Sequence, residues 1–78
     1  MTKEAIIECL NDRKKGEEKR KLLAFLREPK TISEMERSGV KRYLFDVIVE
    51  LKNVDAVAFA DGKYFATQIA LEALKSLQ

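Results

Sequence analysis

The stretch TISEMERSGVKRYLFDVIVELK, residues 31–52, decides the fold of this chain. Thr31 and Glu34 fit a capping box, in which the hydroxyl accepts a hydrogen bond from a backbone N–H at the helix start and the carboxylate accepts one from the threonine N–H. Gly39 can adopt the left-handed backbone that ends a helix. The stretch therefore predicts a short capped helix, a glycine turn and a longer second helix, which together form a helix-turn-helix signature.

The second predicted helix, residues 41–51, has two different faces. Four apolar side chains share one sector of about 100°, and they are Leu44, Val47, Ile48 and Leu51. The opposite sector carries Arg42, Tyr43, Phe45, Asp46, Val49 and Glu50. The apolar sector is predicted to face the core, and the mixed sector is the candidate binding face.

Length and composition limit the class of protein. The 78 residues suit a single domain over 1–78, and 15 basic against 13 acidic side chains give a net charge of only +2. The protein as a whole therefore presents no basic field to nucleic acid. The chain has no histidine and a single cysteine, Cys9, which excludes an intrachain disulfide and argues against a zinc site or a histidine-based triad. We expect no enzyme activity, no metal and no cofactor.

The sequence also predicts the cellular compartment of the protein. No apolar run approaches the roughly 20 residues of a membrane span. The N-terminus lacks the apolar core of a signal peptide. We therefore expect a cytoplasmic protein without a membrane partner.

Two helices are predicted before the central stretch. The first covers residues 2–12, with Cys9 as a small buried hydrophobe. The second covers residues 17–28, since Pro29 disfavours helical backbone at the residue before it. Between them, the basic segment 13–21 (RKKGEEKRK) is either a solvated hinge or an edge that contacts phosphates.

A β-hairpin and a last helix are predicted after the central stretch. Asn53 is predicted to end the preceding helix in a left-handed conformation. Residues 56–66 read AVAFADGKYFA, and Asp-Gly between apolar runs is a strong hairpin signal. With Asp61-Gly62 as the loop, the expected pairs are Phe59 with Tyr64, Val57 with Ala66, and Ala58 with Phe65. Thr67 is predicted to cap a helix over residues 68–77.

The two terminal helices carry apolar residues beyond what one core face needs. The last helix is apolar over about 200° of its circumference. We therefore expect a two-fold homodimer formed by the terminal helices. The predicted interface residues are Ile6, Leu10, Leu71 and Leu74. The alternative is that the first helix packs on the last helix within one monomer.

This order of elements resembles the winged helix-turn-helix superfamily. Residues 21–35, KLLAFLREPKTISEM, are similar to the family's first helix, break, short strand and second-helix start. Residues 61–74, DGKYFATQIALEAL, are similar to the wing and last helix of antibiotic-resistance-regulator-like members. The resemblance implies an α+β, mainly α fold: an extra N-terminal helix (2–12), a winged-helix core (17–67) with a short two-stranded wing, and a C-terminal helix (68–77).

The resemblance implies sequence-specific binding of double-stranded DNA by a small transcriptional regulator. The helix over 41–51 would lie in the major groove, with Arg42 donating to guanine O6 and N7. The other expected DNA contacts are Lys41, Tyr43, Phe45 and Asp46 near that helix, Lys63 on the wing, and Arg20 and Lys21 with the 13–15 run as flanking phosphate contacts.

Some residues depart from the family pattern. Lys63 is the only basic residue near the wing tip, and Asp55 replaces the usual glycine before the wing. The charges of residues 31–53 sum to zero, with Asp46 and Glu50 on the predicted DNA face. These departures support an alternative, a winged-helix protein-interaction module without DNA binding. The apolar pair Phe45 and Val49 could contact thymine methyls, bind a protein or pack within the domain, and packing is the expectation.

Overall fold

The structure, a computed structural model, describes residues 2–77. Within them, the elements in chain order are α1 (Lys3–Leu10), α2 (Gly16–Phe25), α3 (Ile32–Met35), α4 (Leu44–Asn53), β1 (Val57–Ala60), β2 (Lys63–Ala66) and α5 (Gln68–Ser76). The fold class is therefore α+β and mainly α, with a two-stranded antiparallel sheet. This arrangement is compatible with a winged helix.

Threonine side chains begin three of the helices, as predicted. Thr2, Thr31 and Thr67 each accept a hydrogen bond from the backbone N–H three residues further on. The capping box is complete, because the Thr31 N–H also donates to Glu34 Oε1 at 2.8 Å. That hydrogen bond from the backbone of Thr31 holds the pKa of Glu34 below its usual value. The start of α3 is thus determined by two side chains of the local sequence.

The core lies between α1, α2, α4, α5 and the base of the hairpin. Val47, Ile48 and Leu51 of α4 are buried in it, and Leu44 is half-buried against it, so the predicted apolar face is confirmed. Cys9 is half-buried rather than fully buried. Its thiol lies 4.0 Å from the Glu50 carbonyl oxygen.

The predicted dimer interface is wrong for three of its four residues. Helix α1 packs against α2 and α5 of its own chain. As a result Ile6 and Leu10 are 0% exposed and Leu74 is 2% exposed. These three side chains therefore have no surface left with which to contact a second copy. Leu71 is half-buried. The two apolar faces that looked like a surplus in the sequence cover each other within one chain, and the homodimer stays a prediction without this interface.

The hairpin has the predicted register. The pairs are Val57 with Ala66, Ala58 with Phe65, and Phe59 with Tyr64. The loop residues Asp61 and Gly62 both have positive φ, 53° and 77°, as a type I′ turn requires. Lys30 adds the short extended piece expected before α3, because its N–H and carbonyl bond to Tyr64 at 2.9 and 2.7 Å.

Replacing Gly62 by valine is expected to lower the free energy of unfolding by at least about 1 kcal/mol. The left-handed backbone causes this loss, since a Cβ at this position would meet nothing within 4 Å. Chemical denaturation followed by circular dichroism measures it. Asp61→Asn is the matched control, because asparagine tolerates the left-handed conformation. An unchanged midpoint in Gly62→Val would contradict the assigned turn.

Two predicted helix ends are wrong, one for a tertiary and one for a local reason. Helix α2 ends at Phe25, before residue 28, and the Leu26 carbonyl accepts from Ala66 of β2 at 2.9 Å. Helix α4 includes Asn53, and the left-handed residue is Asp55, with φ 58°. The N–H groups of residues 55 and 56 donate to the carbonyls of residues 52 and 51, which is a Schellman motif. Asp55 thus takes the position that glycine usually holds.

Candidate nucleic-acid interface

The predicted recognition helix begins three residues later than expected. Helix α4 starts at Leu44, and Tyr43 before it is left-handed, with φ 62° and ψ 19°. Such a backbone costs an ordinary residue about 1–2 kcal/mol. Buried Val40, 1% exposed, fixes the connection from α3 to the core. These three residues, Lys41, Arg42 and Tyr43, therefore lie on a connecting segment ahead of the helix. The apolar periodicity of the sequence had predicted that they lie inside it.

Three cations surround the ring of Tyr43. The Nζ atoms of Lys14 and Lys15 lie 5.7 and 5.8 Å from the ring centroid, and Arg42 Cζ lies 5.2 Å from it. Arg42 Nη2 also donates to the Tyr43 hydroxyl at 3.2 Å. Cations within about 6 Å of an aromatic centroid are attracted by the ring quadrupole. We call these three cations, together with Lys41, which precedes Arg42 in the chain and lines a groove with Tyr43, the basic cluster.

The carboxylate of Glu50 is neutralised from the side of α2. Lys15 forms an ion pair with Glu50 Oε2, and Lys19 Nζ lies 2.8 Å from Glu50 Oε1. Hydrogen bonds from Lys15 and then Lys19 lower the pKa of Glu50. The charge of Glu50, which the sequence placed on the predicted DNA face, is therefore offset within the protein.

Lys19 is a buried cation held by that ion pair. It is only 2% exposed. Burial works to lower the pKa of Lys19, but its hydrogen bond to Glu50 and the nearby Cys9 thiol leave the pKa above the usual value. The ammonium thus stays charged inside the protein, and its main partner is a residue of the candidate recognition helix.

The outer face of α4 carries two large apolar side chains in water. Phe45 is 69% exposed and Val49 is 56% exposed, so the expectation that they pack within the domain is wrong. Asp46 between them in sequence is exposed as well. An open groove of about 500 Å³ runs beside the start of the helix. Its lining residues are Glu36, Val40, Lys41, Tyr43, Leu44, Phe45 and Asp46.

The flanking basic residues have different environments. Arg20 is half-buried and its Nη1 donates to the Leu10 carbonyl at the end of α1, so this predicted phosphate contact is occupied in holding α1 to α2. Lys21 is exposed and lines a smaller groove together with Lys41 and Arg42, but Glu17 and Glu18 line the same groove. Lys63 lies at the hairpin tip, where its charge acts on Glu34 of α3 rather than adding to the basic cluster. The structure thus brings Lys21 to the start of α4 and leaves Lys63 apart.

Lys52 is a candidate that the sequence pattern did not single out. It follows Phe45 and Val49 on one line of α4, at steps of four and three residues. Its Nζ lies 5.9 Å from the ring centroid of Tyr64, whose ring contacts Phe59 at 4.7 Å between centroids. A positive charge therefore marks the far end of the exposed α4 face, next to the hairpin.

Among residues 2–77, no group of three or more thiol or carboxylate side chains is placed to hold a metal ion. None of the helices in that range is long and apolar enough to cross a bilayer. No protein family, curated protein or solved structure is significantly similar to this chain.

Proposed function

We propose that this chain is a winged-helix protein that binds double-stranded DNA in a sequence-specific manner, as a small transcriptional regulator. Helix α4 would enter the major groove with its N-terminal end toward the bases. The basic cluster at Tyr43 is the single observation that carries this proposal. It gathers cations from two distant parts of the chain at one end of the helix.

The charge around the start of α4 supports the proposal, although the net charge of the whole chain does not. Residues 31–53 alone sum to zero, but Lys14 and Lys15 join that stretch from the α1–α2 connection. Glu50 is neutralised by Lys15 and Lys19, which leaves Asp46 as the acid on the outer α4 face. Lys14, Lys41 and Arg42 form no ion pair with a carboxylate of residues 2–77. Each such cation that meets a phosphate releases a counterion and gains affinity.

The shape of α4 supports a groove-binding mode. An α-helix with its side chains is about 10–12 Å in diameter, which fits a major groove about 12 Å wide, and the 10 residues of α4 span about 15 Å. Tyr43 supplies no side-chain cap, so the first N–H groups of α4 are left for an outside acceptor such as a phosphate oxygen. Arg42, exposed just ahead of the helix, would donate to guanine, and Lys63 at the hairpin tip would contact the DNA backbone.

A second candidate function is protein binding through the same helix. The observation in its favour is the exposure of Phe45 and Val49, 69% and 56%. Exposed apolar patches often mark protein interfaces. In this case Asp46 would pair with a cation of the partner protein, and added DNA would not compete with that partner for α4.

Replacing Arg42 by alanine tests the DNA proposal. On a duplex selected by the wild type, we expect a loss of about 1–3 kcal/mol in binding free energy and a relaxed preference at one base pair. Lys63→Ala is expected to weaken all sequences about equally, since a phosphate contact carries no base information. Fluorescence anisotropy with labelled duplexes at about 50 mM salt measures both, because low salt favours phosphate binding.

Lys75→Ala is the matched control. Lys75 is an exposed lysine of α5, distant in sequence from the basic cluster, and its removal changes the net charge by the same single unit. If Arg42→Ala and Lys75→Ala weaken binding equally, only bulk charge matters and the assignment of α4 is wrong. If the wild type binds no duplex even at low salt, protein binding becomes the better proposal.

A further inference from the structure

The exposed face of α4 presents charged and apolar side chains in a definite order along the helix. Cations stand just ahead of it, Phe45 and Asp46 lie in its first turn, Val49 lies in its middle, and Lys52 stands near its end. Phe45 and Val49 remain 69% and 56% exposed although the core of this small domain is otherwise well filled. Side chains of this size left in water on a binding face call for an apolar partner.

We propose that Phe45 and Val49 contact the C5-methyl groups of thymines, and that these contacts set the base preference of the central part of the binding site. This inference rests on the proposed DNA binding and deepens it. The thymine methyl is the one apolar group that the bases present in the major groove, so it is the feature of DNA that an exposed phenylalanine and valine can recognise.

Asp46 restricts the choice of base pair further. Its carboxylate accepts hydrogen bonds only, so it is repelled by guanine O6 and N7 and attracted by an amino group. Adenine N6 and cytosine N4 are the amino donors of the major groove. An adenine–thymine pair offers an amino donor and a methyl group on the same edge, which fits Phe45 and Asp46 side by side.

The spacing of charges favours DNA over an apolar protein surface as the occupant. From Leu44, where α4 begins, to Lys52 the helix rises about 12 Å, which is about the width of the major groove. Lys41 ahead of the helix and Lys52 near its end can therefore meet phosphates on the two sides of the groove, while Arg42 and the apolar pair lie over the bases. Phe45 and Val49 are about 6 Å apart along the axis, less than two base-pair steps of about 3.4 Å.

The experiment has two stages. Wild type first selects duplexes from a pool with a randomised core. The selected duplex is then synthesised with deoxyuridine in place of each thymine, which removes the methyl group and leaves base pairing intact. Affinities for the thymine and uracil duplexes are compared for wild type, Phe45→Ala and Val49→Ala. Phe59→Ala is the matched control, because Phe59 is also a half-exposed phenylalanine, 52% exposed, but lies on the hairpin.

We expect the wild type to select thymines within two positions of each other and to lose about fourfold in affinity per contacted methyl group. Phe45→Ala should bind the thymine and uracil duplexes equally at the contacted position, whereas Phe59→Ala should keep the wild-type ratio. Because Phe45 is exposed, its truncation is not expected to unfold the protein, and an unchanged far-ultraviolet spectrum verifies this.

The outcomes separate this inference from the proposed function. Selective duplex binding with equal affinity for thymine and uracil overturns the inference alone. Absence of duplex binding overturns both. In that case sedimentation of wild type against Phe45→Ala tells whether a second copy of the chain occupies the α4 face.

Discussion

Truncating Leu10 to alanine is expected to lower the free energy of unfolding by about 2–5 kcal/mol, and by the same amount at every protein concentration. Leu10 is 0% exposed and lies in α1, which packs on α2 and α5 of its own chain. Removing its branched end leaves a cavity that the surrounding helices can fill only in part. A domain this small buries only about 60% of its unfolded surface, so such a loss is a large part of its stability.

Urea unfolding at two widely separated protein concentrations measures this loss. Val49→Ala is the matched control, because it also truncates an aliphatic side chain of a helix but one that is 56% exposed. We expect the control to change the midpoint little. If the midpoint of the wild type rises with protein concentration and Leu10→Ala removes that dependence, α1 contributes to an interface between copies, and the packing of α1 within one chain is contradicted.

The local features of this fold could be predicted from the sequence because they depend on neighbouring residues. The capping box of Thr31 and Glu34 needs only a hydroxyl and a carboxylate three positions apart. The turn at Asp61 and Gly62 needs two residues that tolerate positive φ between strand-forming runs. In both places a short-range interaction and the tertiary structure favour the same conformation.

Most of the errors have a different physical origin, because they concern residues whose partners are distant in sequence. The end of α4 is the exception, since its Schellman motif is local. The periodicity of residues 41–51 was that of a helix, yet Tyr43 is left-handed. Its ring lies among Lys14, Lys15 and Arg42, two of which come from the α1–α2 connection. The count of apolar residues in the terminal helices was correct, but it could not tell whether those faces meet each other or a second copy.

The candidate site shows the same contrast between local features, which the sequence could predict, and tertiary features, which it could not. The sequence identified Lys41 and Arg42 as surface residues of the predicted helix-turn-helix, and both are exposed. It could not indicate that Glu50 is neutralised, because Lys15 lies 35 residues away from it. The charge of a binding face is therefore a tertiary property, whereas the charge of a stretch of sequence is not.

Replacing Glu50 by alanine is expected to lower the free energy of unfolding by about 1–3 kcal/mol near neutral pH. The loss arises mainly at Lys19, which is 2% exposed and would remain a buried ammonium without its carboxylate. The Glu50 side chain is itself 35% exposed, so water weakens the pair and the loss falls below that of a fully buried ion pair. The pair with Lys15, nearer the surface, is expected to contribute little.

The pH dependence of stability identifies the cause. Hydrogen bonds from Lys15 and Lys19 lower the pKa of Glu50 in the folded protein, so the unfolded chain takes up the proton first as the pH falls. The stabilisation is therefore present above the ordinary glutamate pKa of about 4.3 and is lost as the pH falls through the lower folded value. The stability curve of Glu50→Ala should lack this component, so wild type and variant should converge in acid.

Chemical denaturation at several pH values measures both curves, with Glu72→Ala, an exposed glutamate of α5, as the control. A second variant separates the buried charge from the loss of side-chain volume. Glu50→Ala combined with Lys19→Met removes the ammonium as well, and it should recover stability relative to Glu50→Ala alone, since methionine fills a similar space without a charge. If the double variant is less stable than Glu50→Ala, or if the gap between Glu50→Ala and wild type persists in acid, Lys19 does not depend on the Glu50 carboxylate in the way that we infer.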